Sequence, residues 1–282
     1  MTIAVSGVTG ALGALVARGL RLEGVNPRLV VRDPGRLAHW TGADVAQAAY
    51  QDTEAMARAL DGVDTFFLVS GHEDPDRVPL HLSAVEAARR AGVRRIVYTS
   101  FMGAAPQATF TYARDHSLTE QAVREAGIAL TAMRDSLYAD MAPWFVRTDG
   151  VIRAPAGEGR VAWVSRRDVA RLAVALLTGE GHEDQVYDVS GPHSIDLHET
   201  ARALAAVTGR SISYHPETLE EARASRAGHP EWLVDGWIGS YLALATGEGA
   251  VTSHTIQHVT GVRPLSFEEF LDAEPDAWAH LV

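Results

Sequence analysis

Short apolar runs alternate with amphipathic segments along the first half of the chain. Apolar residues recur at helical spacing over residues 11–22, 79–91 and 117–126. Runs typical of buried strands fall at residues 2–6, 28–31, 45–48, 65–69, 94–99 and 129–133. Regular alternation of this kind predicts βαβ units and a parallel sheet with helices on both of its faces.

A glycine-rich turn joins the first predicted strand to the first predicted helix. Gly7, Gly10 and Gly13 follow a GxxGxxG spacing, which makes the turn one residue longer than GxGxxG. Glycines at such a junction let backbone N–H groups approach a pyrophosphate and direct the positive end of the helix toward it. A tight turn without a ligand is the alternative, but the first βα unit is where a doubly wound sheet binds a dinucleotide.

The pattern changes after about Asp149, where short strands at residues 161–164 and 186–189 mix with helices. Those helices are predicted at residues 167–177, 196–207 and 218–226. We therefore predict an α/β fold, a Rossmann-type doubly wound parallel sheet with a smaller C-terminal α/β lobe that covers the substrate. The expected domains are residues 1–150, which bind the dinucleotide, and residues 151–282, with some elements returning to the sheet.

The end of the second strand distinguishes NADP from NAD. NAD-binding proteins place a carboxylate there against the ribose 2′-hydroxyl, whereas this chain has Arg32, with Arg36 one helical turn later. A guanidinium can bind a 2′-phosphate bidentately, so NADP(H) is the predicted cofactor. Asp33 keeps NAD open, because a strand ending one residue later would place that carboxylate at the ribose.

Composition excludes several other functions. The net charge of −11, from 25 basic and 36 acidic residues, argues against a nucleic-acid surface. The absence of cysteine excludes disulfides, thiolate nucleophiles and cysteine–zinc sites, and the twelve histidines form no metal-binding motif, so no metal is predicted. No apolar run of about 18 residues is present to span a membrane. The first strand begins at Thr2 and leaves no room for a signal peptide, so a cytoplasmic location is expected.

Six stretches of sequence resemble a known family. They are residues 5–13, 31–34, 91–100, 115–120, 133–138 and 181–187. On these stretches the chain resembles the NmrA-like branch of the atypical short-chain dehydrogenases, closest to its NAD(P)H:quinone oxidoreductase and triphenylmethane reductase group. The resemblance implies a Rossmann-type domain, NADP(H) as cofactor, and hydride transfer to a quinone-like or other conjugated aromatic acceptor.

The resemblance also implies roles for individual residues along the cofactor. Arg32 is expected at the 2′-phosphate, Ser70 and Gly71 along the adenine ribose and the bridge, and Thr99 and Ser100 on the nicotinamide side. The pyrophosphate is expected to contact Gly7, Thr9, Gly10, Ala11 and Leu12. Ala49 replaces an aspartate often found near the adenine, so Tyr50 or Asp52 is expected to make that contact instead.

Around the nicotinamide and the acceptor, the resemblance implies a frame of Arg134, Asp135, Ser136 and Tyr138. Asp135 replaces the asparagine usual in this group, which exchanges an amide for a charged acceptor. His116 stands where many relatives have a lysine that contacts the nicotinamide ribose.

Short-chain dehydrogenases use a serine, a tyrosine and a lysine, the last two in a Tyr-x-x-x-Lys motif, and this set of catalytic residues is incomplete in this chain. Tyr112 and His116 have the required spacing, and Ser100 precedes them, but a histidine is charged only part of the time near neutral pH. The catalytic candidates are His116, Tyr138 and Ser100, with Tyr112 more typical of a structural tyrosine. An apolar acceptor pocket is expected from some of Phe101, Met102, Phe110, Tyr138, Met141, Trp144 and Phe145.

Three functions stay open at this point. The first is an NADPH-dependent reductase of a quinone-like or conjugated small molecule, acting as a monomer or homodimer without nucleic acid or membrane. The second is a non-catalytic NADP(H)-binding redox sensor, which the altered Asp135 and His116 positions allow. The third is an isomerase or epimerase, which would normally need NAD and an intact Tyr-x-x-x-Lys.

Overall fold

A computed structural model describes residues 1–37 and 40–282 of the chain. Eleven strands occur in these residues: β1 (Ile3–Val5), β2 (Arg28–Val31), β3 (Asp44–Gln47), β4 (Thr65–Leu68), β5 (Arg95–Phe101), β6 (Ala129–Asp135), β7 (Val151–Ala154), β8 (Arg160–Val161), β9 (Gln185–Val189), β10 (Ile195–Asp196) and β11 (Ser213–Pro216). The same residues contain ten α-helices: α1 (Ala11–Leu22), α2 (Thr53–Ala59), α3 (Arg77–Arg90), α4 (Thr111–Glu125), α5 (Arg166–Thr178), α6 (Leu197–Thr208), α7 (Leu219–Ser225), α8 (Glu231–Ala245), α9 (Thr255–Thr260) and α10 (Phe267–Ala273).

Seven strands form one sheet in the order β3-β2-β1-β4-β5-β6-β9. The pairs β1–β2, β2–β3, β1–β4 and β4–β5 are parallel. The strand order reverses direction between β1 and β4, which is the switch point where doubly wound sheets bind their ligands. The predicted Rossmann-type α/β fold is therefore confirmed.

Contacts divide the chain into two compact units whose segments interleave. The first unit comprises residues 1–101, 115–134 and 169–187, and the second comprises residues 102–114, 135–168 and 188–282. This division differs from the predicted boundary at residue 150, because the chain leaves the first unit and returns to it twice. The two units are also nearly equal in length, whereas a smaller C-terminal lobe was expected.

Each unit has its own apolar core. In the first unit, strand residues such as Phe66 and Ile96 are fully buried against Met56 and Leu60 from the α2 segment. In the second unit, Trp163, Tyr241 and Phe270 belong to one cluster. Two small sheets, antiparallel β8–β10 and parallel β7–β11, lie in the second unit and confirm its mixed α/β character.

Helix α4 begins earlier than its sequence pattern predicts. The apolar spacing marks residues 117–126, but the helix is already formed at Thr111. As a result, Tyr112, His116 and Glu120 lie one turn apart along one helix. Helix α8 was not predicted at all, because it is apolar on most of its circumference and lacks a polar face to reveal the period.

Within the described ranges, no helix combines the length and the apolar character needed to cross a bilayer.

Candidate functional site

The turn between β1 and α1 is built from close backbone contacts that require glycine. Gly7 has a φ of +66°, and a Cβ on it would lie 2.9 Å from Cβ of Val69. A Cβ on Gly13 would lie 2.3 Å from the carbonyl oxygen of Gly7. Gly10 precedes α1 without a side-chain cap, so the first N–H groups of the helix keep their capacity to bind an anion.

A cleft opens beside this turn, at the carboxyl ends of β1, β2 and β4. Its lining residues are Ser6, Gly7, Thr9, Gly10, Val30, Val31, Arg32, Ala48, Ala49, Tyr50, Gln51, Met56, Val69, Ser70, Gly71, His72 and Leu80. Six of the predicted cofactor-binding residues thus meet in one cleft: Gly7, Thr9, Gly10, Arg32, Ser70 and Gly71. The other eight do not line it: Ala11 and Arg36 are exposed, Leu12 is buried on α1, and Thr99, Ser100, His116, Asp135 and Tyr138 are described below.

The end of β2 places Arg32, not Asp33, in the cleft. The strand ends at Val31, so Arg32 is the first residue beyond it. The carboxylate of Asp33 accepts a hydrogen bond from the N–H of Gly35 at 2.9 Å and is thereby held in a local turn. Within the described part of the chain, the Arg32 guanidinium forms no ion pair. The cleft therefore offers a cation where an NAD-specific site has a carboxylate.

On the predicted adenine side, Tyr50 and Asp52 are both engaged within the protein. The Tyr50 hydroxyl lies 2.6 Å from Oγ of Ser6 and 2.6 Å from the carbonyl oxygen of Val69. Asp52 caps helix α2 by accepting the N–H of Ala55 at 2.9 Å. Gln51, which no sequence argument singled out, is exposed in the cleft and carries an amide that can both donate and accept.

Buried polar side chains form hydrogen bonds with the backbone of the loop after β4. The N–H of Ser70 donates to Oγ1 of Thr99 at 2.7 Å, and the N–H of Gly71 donates to Nε2 of His81 at 2.8 Å. The carbonyl oxygen of Gly71 accepts from Nε of Arg77 at 3.0 Å. Thr99 is 1% exposed, so its hydroxyl supports Ser70 from within the core.

His116 belongs to the same buried network, and both of its ring nitrogens are engaged. Arg77 can only donate, so Nε2 of His116 accepts from it at 2.9 Å, and Nδ1 must carry the proton that faces the Tyr98 hydroxyl at 2.8 Å. Burial, together with Arg77 and His81, lowers the pKa of His116 well below its usual value. The geometry does not support His116 as a proton donor and favours a structural role.

Ser100 contacts a buried carboxylate that sequence analysis did not assign. Its hydroxyl donates to Oε1 of Glu120 at 2.7 Å, and Arg134 grips the two oxygens of Glu120 at 2.9 and 2.8 Å. Burial alone would raise the pKa of Glu120, but hydrogen bonds from Arg134 and Ser100 outweigh it and lower the pKa. Ser100 and Glu120 are almost fully buried, so the arrangement favours a structural role for Ser100 and Arg134.

In the second unit, Asp135 and Tyr138 form a hydrogen-bonded pair. The Tyr138 hydroxyl lies 2.7 Å from Oδ2 of Asp135, and the guanidinium of Arg166 lies 4.6 Å from the centre of the Tyr138 ring. Asp135 is 2% exposed, whereas Tyr138 is half-buried. Burial raises the pKa of Asp135 to about 8, against the opposing hydrogen bond from Tyr138. Ser136 follows with its N–H donated to the carbonyl oxygen of Val189.

The predicted pocket aromatics of the second unit have different surroundings. Phe145 packs against Trp163 and Tyr241 in the core. Trp144 is 69% exposed and stacks on His280. Tyr112 packs closely against Gly236 of α8, which fits the structural role expected for it.

Arg77, His81 and Glu120 are the site residues that sequence reasoning missed. A signal was present, because Arg77 and His81 share one face of α3, and His116 and Glu120 share one face of α4. Polar residues at i, i+4 on helices that pack against a sheet indicate a buried network. Which helix faces meet is set by the tertiary fold, so the partners could not be assigned from spacing alone.

The described residues of the cleft fit a dinucleotide phosphate. The turn packs too closely for a Cβ at Gly7 or Gly13, the first N–H groups of α1 are uncapped, and Arg32 adds a cation at the end of β2. Bound there, the pyrophosphate would be held by the turn at Gly7, Thr9 and Gly10, and the 2′-phosphate by Arg32. Across residues 1–37 and 40–282, no group of three or more histidine, aspartate or glutamate residues is arranged to hold a metal.

The raised pKa of Asp135 predicts a pH-dependent stability. Folded Asp135 holds its proton up to about pH 8, whereas the unfolded carboxyl releases it near pH 4. Relative to Asp135→Asn, the free energy of unfolding of the wild type should therefore fall by about 1.4 kcal/mol per pH unit between these limits and level off above them. Urea titrations at pH 5, 6, 7 and 8 measure this difference.

Asp140→Asn is the matched control, because Asp140 is a nearby carboxylate paired with Arg166. It should not reproduce the difference. Parallel stability curves for wild type and Asp135→Asn would show that Asp135 is ionised in the folded protein.

Comparison with known proteins agrees with this geometry. The model of a family described as NAD(P)H-binding matches residues 7–180. A (4-alkanoyl-5-oxo-2,5-dihydrofuran-3-yl)methyl phosphate reductase of Streptomyces griseus is 38% identical over 98% of this chain and 99% of its own length. An NAD(P)H azoreductase of Xenophilus azovorans is 33% identical, again over 98% of this chain and 99% of the relative.

Solved structures show the same similarity. The NADPH complex of an NADPH-dependent quinone oxidoreductase from Escherichia coli superimposes with a TM-score of 0.87 at 29% identity, covering 99% of both chains. A triphenylmethane reductase from Citrobacter has a TM-score of 0.84 at 31% identity, covering 97% of this chain and 99% of that one. The expected similarity to quinone oxidoreductases and triphenylmethane reductases is confirmed, as is a cofactor of the NAD(P)H class. The chain belongs to the NAD(P)H-binding family and is an NAD(P)H-dependent reductase.

Proposed function

We propose that this protein uses NADPH to reduce a quinone-like or other conjugated small molecule. The observation that carries the proposal is the cleft at the switch point of the sheet, in which the glycine turn, Ser70, Gly71 and Arg32 line one surface. NADPH, when bound, supplies the hydride. The chain itself has to hold the cofactor, exclude water and place a proton donor near the acceptor.

The preference for NADPH over NADH rests on Arg32. Its guanidinium is exposed in the cleft, without an ion pair among the described residues, and the carboxylate of Asp33 is turned away into a hydrogen bond with Gly35. A bidentate guanidinium–phosphate contact stabilises a 2′-phosphate, while it gives no comparable hold on a bare hydroxyl.

The acceptor class follows from what the relatives have in common. Their names describe reduction of an unsaturated lactone phosphate, of azo compounds, of quinones and of triphenylmethane dyes. Each is a conjugated system in which a hydride adds to one atom and the displaced π-electrons move to an oxygen, a nitrogen or, in the cationic dyes, an iminium nitrogen. For the oxygen and nitrogen acceptors, a hydroxyl donor such as Tyr138 serves this chemistry by protonating the heteroatom.

The proposal also includes the location, the oligomeric state and the partners of the protein. We place the protein in the cytoplasm as a monomer or homodimer that acts on a small molecule without nucleic acid. The net charge of −11 supports the last point, because a nucleic-acid surface is normally basic.

Removing the Arg32 guanidinium should weaken the binding of NADPH more than the binding of NADH. A charge-assisted contact to a phosphate contributes about 1.5–3 kcal/mol, so Arg32→Ala should raise the KM for NADPH by about ten- to hundredfold and leave the KM for NADH nearly unchanged. Arg36→Ala is the matched control, because Arg36 is exposed outside the cleft. Equal losses with both cofactors would contradict the assignment of Arg32 to the 2′-phosphate.

The acceptor class is tested by following NADPH absorbance with the purified protein. The acceptors are a naphthoquinone, an azo dye, a triarylmethane dye and an α,β-unsaturated lactone, and a reaction without acceptor measures background oxidation. We expect acceptor-dependent loss of NADPH with at least one conjugated compound and none with a saturated ketone. Binding of NADPH without turnover of any of them would favour the non-catalytic redox sensor.

A further inference from the structure

Asp135 differs from the other buried carboxylates of the site in having almost no compensating partners. Its Oδ2 faces the Tyr138 hydroxyl, while its Oδ1 is buried and has no hydrogen-bond partner among the residues that the structure describes. Arg134, its neighbour in sequence, binds Glu120 and points to the other face of β6. Among the residues that the structure describes, the charged groups Arg166 and Asp140 lie near the pair and bind one another.

These contacts indicate where the proton of the pair resides. A negative charge on Oδ1 would be buried without a donor, which is far more costly than a buried carbonyl oxygen. The neutral acid with its proton on Oδ2 avoids that charge and directs the proton at the Tyr138 oxygen, 2.7 Å away. The phenolic hydrogen of Tyr138 is then available to a second acceptor, and the tyrosine as a whole is only half-buried.

Tyr138 is unsuited to hold a negative charge itself. Burial, and then the neighbouring Asp135, raise the pKa of its hydroxyl well above the usual value, so a phenolate left after proton donation would be short-lived. The proton on Oδ2 of Asp135 lies within hydrogen-bond distance of the Tyr138 oxygen and can neutralise that phenolate. Arg166, 4.6 Å from the ring centre, favours the same transient charge.

We propose that Asp135 and Tyr138 form a proton relay, in which Tyr138 protonates the reduced acceptor and Asp135 returns a proton to Tyr138. The proposal rests on the proposed function, because it supplies the proton that accompanies the hydride. It assigns a role to the carboxyl group of Asp135.

The relay balances in atoms and charge. The acceptor gains a hydride on one atom and carries the resulting negative charge on its oxygen or nitrogen. A new bond forms between that atom and the Tyr138 proton while the Oη–H bond of Tyr138 breaks, and Oη takes the proton from Oδ2 of Asp135. The carboxylate of Asp135 then regains a proton from solvent, so the acceptor has gained one hydride and one proton.

Asp135→Asn separates the relay from a purely structural role. An asparagine amide can donate the same hydrogen bond to Tyr138, but it cannot transfer a proton or titrate. With a reducible quinone, we expect kcat/KM of the wild type to fall about tenfold per pH unit above about pH 8. Asp135→Asn should start about tenfold lower or more and show no such alkaline fall, and Asp140→Asn should retain it.

A series of quinones sharpens the test. The loss caused by Asp135→Asn should grow as the product hydroquinone anion becomes more basic, because a basic anion depends more on a donated proton. Tyr138→Phe should show the same trend, since it removes the group that touches the acceptor. A structural defect would lower the rate with every quinone by a similar factor.

The protonation of Asp135 is also measurable without turnover. Infrared difference spectra of wild type minus Asp135→Asn at pH 7 should show the carbonyl band of a neutral carboxylic acid, which disappears above about pH 8. A carboxylate band at pH 7 would overturn the relay whatever the activity.

The kinetic outcomes distinguish the two proposals. An unchanged alkaline fall in Asp135→Asn, with good turnover of quinones by the wild type, would overturn the relay and leave the reductase function standing. No turnover of any acceptor by the wild type would overturn both.

Discussion

Nucleotide binding in this chain depends on how closely the start of α1 packs on the turn that precedes it. The position of a Cβ on Gly13 is only 2.3 Å from the carbonyl oxygen of Gly7, and Gly7 itself adopts a φ of +66° against Val69. The first contact brings the amino end of α1 to the carboxyl end of β1, and the second holds the turn against the end of β4. The strand order reverses at this point, so the same contacts open the cleft in which Arg32, Ser70 and Gly71 meet.

Two buried carboxylates show how partners decide the chemistry of one functional group. Glu120 receives hydrogen bonds from Arg134 and Ser100, and these keep its pKa low despite burial. Among the described residues, the Asp135 carboxyl shares a hydrogen bond with one neutral partner, the Tyr138 hydroxyl, and burial raises its pKa to about 8. The first is a fixed charge that holds strands and helices together. The second is a weak acid that can exchange a proton near physiological pH.

The sequence predicted the sheet and the cleft well, because both depend on local patterns. Buried parallel strands are visible as apolar runs in the sequence. The glycine turn comes directly after the first of these runs, and Arg32 comes directly after the second. The interleaving of the two units could not be predicted. Residues 102–114 pack with the second unit, most of which comes later in the chain, and residues 169–187 return to the first unit. The same limit applies to His116, whose spacing suggested a catalytic role. Its burial against Arg77 and Tyr98 arises only when α3, α4 and β5 pack together.

The central claim is that the chain binds NADPH in this cleft and transfers its hydride directly to a conjugated acceptor. A single-turnover experiment with excess protein tests it, comparing NADPH with NADPH deuterated at the transferred position. The account predicts that NADPH absorbance decays only when acceptor is present, and that deuterium slows the decay. Stable absorbance of bound NADPH in the presence of every acceptor, or decay that is independent of the acceptor, would contradict it.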